Sequence, residues 1–430
     1  MHPNPCWTSA LPHPSAAGPF RSAAAAADAD APWRSAFRPD PSWASAADGT
    51  ALRALVCDAG SPASRAAAPL LVCLHGAGCA ALSWAPLARE LPSALPAFTL
   101  AALDLRGHGG SDDGPRGGAG AAGEDGGNSA QSSSARPDLS VGVLLDDVVA
   151  ATLQLVAQTQ RERRAAAHGV SGDGSLAEET TQPPPPLRVF LVGHSLGGAL
   201  AAKASATLAL RLPSCGAALC GVVLLDVVEG TARGLHARRA ASAALASRPA
   251  SFVSLEAASK WERLRSGSGG PGCGTHRRAP SVASRSVASQ LVWRQNGGVV
   301  NSRSGADGDD SGGAFVWRTD LAASSESWDG WFEGMGDAFL SAPCGRLLLL
   351  ASTDRLDSQL TTAQMRGALQ VVVLREGDAS HSLHEDAPGV VAASVASFVS
   401  RNSRALPPAR GIRAAPLPQP QPSVAALPVT

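Results

Sequence analysis

Ser195 stands in Gly193-His194-Ser195-Leu196-Gly197-Gly198, a G-x-S-x-G pattern with the apolar run Val189-Phe190-Leu191-Val192 before it and an alanine-rich segment after it. A strand that turns abruptly into a helix around such a serine is a nucleophile elbow. The turn is tight and strained, the flanking glycines avoid Cβ collisions, and the hydroxyl is held at the strand tip within reach of a base. Acyl transfer from an activated serine also needs donors for the developing oxyanion, a base and an acid. Leu74-His75-Gly76-Ala77-Gly78 supplies a glycine turn whose Ala77 N–H can serve as one donor, with the Leu196 N–H as the other. Two histidines, His381 and His384, lie in one segment beyond the last apolar run, and an imidazole titrates near neutrality as a base must. His381, before a helix opened by Asp386 and Pro388, is the preferred base, and His384 is expected to shape the loop. Two carboxylates compete to be the acid. Asp354 follows the penultimate apolar run, where strand position favours it, and Asp226 ends the run after the elbow helix; the order Ser, Asp, His holds for either. Asp104 and Arg106, in the turn Asp104-Leu105-Arg106-Gly107-His108-Gly109-Gly110-Ser111, are read as loop anchors.

These residues need a scaffold, and short apolar runs alternating with helical patterns point to an α/β fold with a mostly parallel sheet flanked by helices. Strands are expected at Leu70–Leu74, Phe98–Leu103, Arg188–Val192, Gly221–Leu225, Arg346–Leu350 and Gln370–Leu374, with Leu52–Asp58 starting an antiparallel edge. Helical periodicity runs from Val141 to Val156, after Asp138 and Ser140 as caps, and further helices follow Ser195 and span Pro388–Val399. Stretches at about 114–136, 161–186 and 266–313 are Gly-, Ser- or Pro-rich and carry too little apolar surface to offset the entropy of ordering. They are read as flexible, disordered insertions in one domain spanning 46–402, with disordered tails at 1–45 and 403–430 and a cap insertion at about 230–340.

The 430 residues carry 36 basic and 36 acidic groups, so neither a nucleic-acid binder nor an acidic solvating protein is indicated. Nearly all the bases are arginine and tyrosine is absent, which reads as a GC-rich coding sequence. No apolar stretch approaches the roughly 18 residues of a membrane span, so no membrane association is expected. The eight cysteines form no C-x-x-C pair, which fits reduced thiols in a cytoplasmic or nuclear protein. The Ala/Pro/Ser-rich start reads as a tail, with a plastid transit peptide as the alternative.

The chain resembles the protein phosphatase methylesterases, α/β-hydrolases that remove a carboxyl methyl ester from protein phosphatase 2A. The resemblance rests on Ala81-Leu82-Ser83-Trp84, Ala102 to Arg106, the Gly193-His194-Ser195 elbow, and above all Asp226-Val227-Val228-Glu229-Gly230-Thr231-Ala232. Trp317-Arg318, Trp328-Asp329-Gly330-Trp331-Phe332, Leu347 to Ala351 with Asp354 to Asp357, and His384-Glu385-Asp386-Ala387-Pro388 extend it over most of residues 68–402. Arg248-Pro249, Phe252, Ser254 to Glu256 and Trp261 look like the family's cap. Two departures stand out: Ser380 replaces a glycine that commonly precedes the histidine, and the Gly/Ser insertions are longer.

The resemblance implies a serine carboxylesterase in which Ser195 is the nucleophile, His381 the base and Asp226, rather than Asp354, the acid, with Ala77 and Leu196 forming the oxyanion hole. It implies the methylated C-terminal tail of the protein phosphatase 2A catalytic subunit as substrate and partner, and a scheme that requires no cofactor or metal. Trp328, Trp331 and Phe332 either line a substrate groove or form the cap's own core, with the latter favoured. A generic small-molecule esterase and a non-catalytic hydrolase-fold binding protein remain as rivals.

Overall fold

Apolar runs without polar alternation form strands buried on both faces. The computed structural model describes residues 34–114, 136–168, 185–267, 286–295, 313–375 and 379–403. Its strands are β1 (Ser42–Ser45), β2 (Ala51–Ala59), β3 (Leu70–Leu74), β4 (Phe98–Leu103), β5 (Leu187–His194), β6 (Ala217–Leu225), β7 (Ser251–Phe252), β8 (Leu291–Gln295), β9 (Gly313–Trp317), β10 (Gly345–Leu350) and β11 (Gln370–Val373). Eight of them form one sheet in the order β1-β2-β4-β3-β5-β6-β10-β11. β1 and β2 run antiparallel to their neighbours, and the other pairs are parallel.

Two core clusters cover the two faces. Along β3, Leu70, Val72 and Leu74 enter one cluster, and Leu71 and Cys73 enter the other, as the two-residue strand period requires. The helices Val141–His168, Leu196–Arg211 and Met335–Ser341 contribute to the first; Ala85–Glu90 and Pro388–Asn402 contribute to the second. From β3 the chain moves outward to β4 and returns to β5 on β3's other side, so strand order reverses between β3 and β5. The crevice beyond the carboxyl ends of the strands at such a reversal is where open α/β sheets bind ligands. The tips of β3, β5, β6 and β10 meet there.

The expected α/β sheet is thus present, with several boundaries moved. β2 is antiparallel as anticipated, yet the edge is β1, which pairs Ser42 with Ala54. The fold therefore includes residues 34–45, assigned above to a tail: Phe37 and Ala44 are buried. The helix from Val141 continues to His168, into the segment read as an insertion from 161, because Gln, Arg, Glu and Ala sustain a helix after the apolar stripe ends. The third insertion is interrupted by the turn Val287–Gln290 and β8, where Val287 and Leu291 are buried beside Phe252 and Ala258. The remaining insertion and tail residues (1–33, 115–135, 169–184, 268–285, 296–312 and 404–430) lie outside the described residues.

Val141–Ala165 is long and apolar enough to cross a membrane by length and composition, which amends the expectation that no stretch reaches that length. Its apolar side is occupied: Leu144, Val148, Ala151 and Val156 are in the core, and Asp147 is buried in a bidentate pair with Arg106.

Between β6 and β10 the chain makes the excursion anticipated as a cap. β7, β9 and β8 form a small antiparallel sheet, and its Phe252 and Trp317 pack edge-on or tilted against each other and against Trp261 of the helix Leu255–Gly267 at 5.7–5.8 Å between ring centroids. This excursion is bolted to the main sheet's loops. Arg318 pairs with Asp113 at 2.7 Å and donates to the Ser111 carbonyl, and the Thr319 hydroxyl donates to the Gly107 carbonyl. Trp331 is buried, with its Nε1–H on the Leu139 carbonyl at 2.7 Å, so it belongs to the core rather than to an open groove. Trp328 and Phe332 are partly buried against the same cluster.

Candidate active site

Two residues other than glycine have positive φ among the described residues: Ser195 at +51° and Asp226 at +52°. They end adjacent parallel strands, β5 and β6, at the sheet's crevice. Such conformations cost about 1–3 kcal/mol each and persist where the surroundings over-determine them. Here each tip is tied to the next strand. The Ser195 N–H donates to the Leu225 carbonyl at 3.2 Å, and the Asp226 N–H donates to the Leu349 carbonyl at 2.8 Å. The elbow glycines are needed by contact. A Cβ on Gly193 would lie 2.2 Å from the Gly197 carbonyl oxygen, and one on Gly197 would lie 2.1 Å from the Leu74 carbonyl oxygen.

The Asp226 side chain is fully buried, and both of its oxygens have partners. Its Oδ1 accepts from the Ala351 N–H at 2.9 Å, and its Oδ2 meets His381 Nδ1 at 2.8 Å and an Arg355 guanidinium nitrogen at 2.9 Å. A carboxylate only accepts, so His381 carries its proton on Nδ1 and leaves Nε2 free to receive one. The His381 side chain is 47% exposed, in contrast to its carboxylate partner. The structure therefore brings Asp226 to His381. Asp354 lies in the 3-10 turn Thr353–Arg355 after β10, and its side chain lies outside the described residues. The chain after β10 contributes the Ala351 N–H as a donor to Asp226 and Arg355 as its ion-pair partner. Sequence reasoning noted Arg355 only as part of a resembling segment; no spacing rule marks a guanidinium that reaches back across a strand.

Ser195 opens the helix Leu196–Arg211, so the Leu196 N–H is one of the first-turn donors without an intrahelical acceptor. The turn after β3 is closed by the Cys79 N–H on the Gly76 carbonyl, and the Ala77 N–H makes no hydrogen bond among the described residues. This turn lies against the elbow: a Cβ on Gly76 would be 3.2 Å from Ser195 Cβ. The Ser195 hydroxyl likewise makes no hydrogen bond among the described residues; catalytic contacts often tighten only when substrate arrives.

Two buried histidines brace the Ala77 turn against the loop after β4. The Leu105 N–H donates to His75 Nε2, and the Gly78 N–H donates to His108 Nε2, each at 3.0 Å. Each ring donates its Nδ1–H to a nearby carbonyl, Gly76 for His75 and Arg106 for His108, at 2.8 Å. Both rings must stay neutral for this pattern. Burial pushes both below the usual imidazole range, that of His108 down to about 3. Asp104 anchors the loop. Burial alone would raise its pKa, but Arg53 and the N–H groups of Ala81 and Gly110 hold it below the usual carboxylate range.

The segment carrying His381 is also built from within. His384 is fully buried, with its ring 4.4 Å from that of Trp84, which fits a loop-shaping role. Glu385 accepts from the Ser286 hydroxyl at 2.6 Å, joining the cap to this loop. Ser380 donates both its N–H and its hydroxyl to Asp386 Oδ2, so the serine in place of glycine adds a hydrogen bond. Glu229 accepts from the Gly334 and Gly336 N–H groups, fixing the turn after Trp328–Phe332.

Residues 71–394 match the alpha/beta hydrolase family. The chain is 33% identical to protein phosphatase methylesterase 1 of Mus musculus, covering 79% of this chain and 78% of that protein. Against the protein of the same name from Schizosaccharomyces pombe it is 33% identical, covering 80% and 78%. The Gibberella zeae protein of that name is 32% identical over 79% of this chain and 68% of its own length. The chain belongs to the protein phosphatase methylesterase 1 family. It is an α/β-hydrolase of carboxylesterase type. In this chain Asp226 to Ala232 supplies a strand tip and an anchor for the Trp328–Phe332 turn, and His384 to Pro388 holds the histidine loop.

Two outcomes follow from this geometry. Asp226→Asn removes the charge that steadies a protonated His381 and is expected to lower turnover by roughly 10⁴-fold, while Asp354→Asn changes it little; steady-state ester hydrolysis by the folded variants decides between them. For His108, the unfolded chain takes up a proton below about pH 6.5, whereas the folded ring resists it until about pH 3. The unfolded state thus binds more protons in that window, so the stability gained from neutral His108 is full above it and is lost as the pH falls through it. In urea unfolding, the stability difference between wild type and His108→Leu should be largest above pH 7 and narrow between about pH 6.5 and 3.

Proposed function

We propose that this chain hydrolyses the methyl ester on the C-terminal leucine carboxylate of the protein phosphatase 2A catalytic subunit, with Ser195, His381 and Asp226 as its triad. The reading is carried by the 2.8 Å contact between His381 Nδ1 and the buried Asp226 carboxylate, beside a serine held at φ +51°. The relatives' name supports a methyl ester on a protein phosphatase as substrate, and the phosphatase 2A catalytic subunit and its C-terminal leucine are the finer part of the proposal. A resemblance that runs through Asp226–Ala232 and Trp328–Phe332, outside the generic elbow, supports extending it to this chain.

In this reading Ser195 Oγ attacks the ester carbonyl while its proton passes to His381 Nε2. The Ala77 and Leu196 N–H groups hold the oxyanion, and Asp226 steadies the imidazolium. The carbonyl–methoxy bond then breaks, and His381 returns the proton so that methanol leaves. Water, deprotonated by His381, attacks the acyl-enzyme, and Ser195 leaves with the proton as the free carboxylate forms. Methanol is too small a leaving group to supply much binding energy, so recognition falls to the phosphatase tail and surface.

The test is methanol release from carboxymethylated phosphatase 2A catalytic subunit. Wild type should release it, and Ser195→Ala should fall to below about one-thousandth of that rate. Turnover of small aryl esters with none of the methylated phosphatase would establish a generic esterase instead. A folded wild type with neither activity would establish a binding protein.

A further inference from the structure

His194, the variable residue of the elbow, is buried at the junction of three functional parts. Its Nε2 lies 2.8 Å from the backbone carbonyl of His381, a bond between residues 187 positions apart in sequence. A carbonyl only accepts, so Nε2 carries the proton and Nδ1 the lone pair. That Nδ1 is buried with no hydrogen-bond partner among the described residues, and it faces Gly76, whose Cβ would sit 2.8 Å away. The ring lies between those of His381 and His384, 4.7 Å from each. An imidazole in this position adds little that an apolar side chain would not, except the single N–H aimed at His381. A buried group left half-satisfied is costly, and its retention asks for a reason.

We propose that His194 is a positioning residue for the base: its Nε2–H holds the main chain of His381, while Asp226 holds the ring. The two bonds fix different parts of one residue. The Asp226 contact fixes the ring at Nδ1 alone, and a base displaced by about 1 Å from its serine loses rate steeply. Burial, with His381 and His384 close by, keeps His194 neutral, so it does not compete as a cation when His381 takes a proton. Because His194 is next to Ser195 in the chain, the bond ties the base directly to the strand that carries the nucleophile. This inference rests on His381 being the base and Ser195 the nucleophile.

The test uses His194→Gln, whose amide can reach the Nε2 position with a donor, and His194→Met, which has similar length and shape without one. A fluorophosphonate labels wild type, and loss of label in Ser195→Ala first establishes the nucleophile; failure at that step refutes the triad and not this bond. On an ester substrate, His194→Met should lose roughly 10²-fold in kcat with KM little changed, and should slow labelling of Ser195 in parallel. His194→Gln should recover most of both. If His194→Met does not fold, His194→Asn replaces it: its amide reaches only the Nδ1 position, so it should behave as the donor-free variant. Equal kcat in the donor and donor-free variants, whether both near wild type or both equally low, overturns the proposal.

Discussion

The Asp226 carboxylate, buried at the tip of β6, joins three parts of the chain that are far apart in sequence. Through Ala351 it is tied to β10, through Arg355 to the turn beyond β10, and through His381 to the loop before the last helix. A buried charge of this kind is tolerable only when it is paired and hydrogen-bonded. That requirement makes the histidine loop and the β10 turn part of one assembly. The parallel sheet makes the assembly possible, since β5, β6 and β10 end side by side and each strained tip bonds to the neighbouring strand.

Around this carboxylate the remaining contacts form a second ring of constraints. His75 and His108 lock the Ala77 turn to the loop after β4, and Arg318 and Thr319 lock the cap to that same loop. Glu385 links the cap to the histidine loop through Ser286. The cap excursion is therefore held at both sides of the crevice by polar bonds, while its own small core is aromatic.

Much of this was legible in the residues. Fully apolar runs such as Leu70–Leu74 and Phe98–Leu103 identify central strands, because burial on both faces leaves no polar position. The elbow was legible because few sequences place glycines around a serine between a strand and a helix. β1 was not, since Ser42-Trp43-Ala44-Ser45 is short and half-exposed and is recruited only by pairing with β2. The small sheet was hidden for the same reason: β9 is partly exposed throughout. The choice between Asp354 and Asp226 could not be made from strand position, because both carboxylates follow strands that end at the crevice. What identifies Asp226 is its 2.8 Å contact with His381, made across 155 residues of sequence and without a compositional signature. Arg355 and His194 act by reaching across the sheet, which no local pattern records.

The central claim is that the strand tips of β3, β5 and β6 form one preorganised acyl-transfer site. A crystal structure of the protein after reaction with a fluorophosphonate tests it directly, because the adduct mimics the tetrahedral intermediate. The account predicts phosphorus on Ser195 Oγ, one phosphonyl oxygen about 2.7–3.1 Å from both the Ala77 and Leu196 nitrogens, and His381 still on Asp226. An adduct on another residue, an oxygen turned away from those two N–H groups, or His381 paired with Asp354 would contradict it.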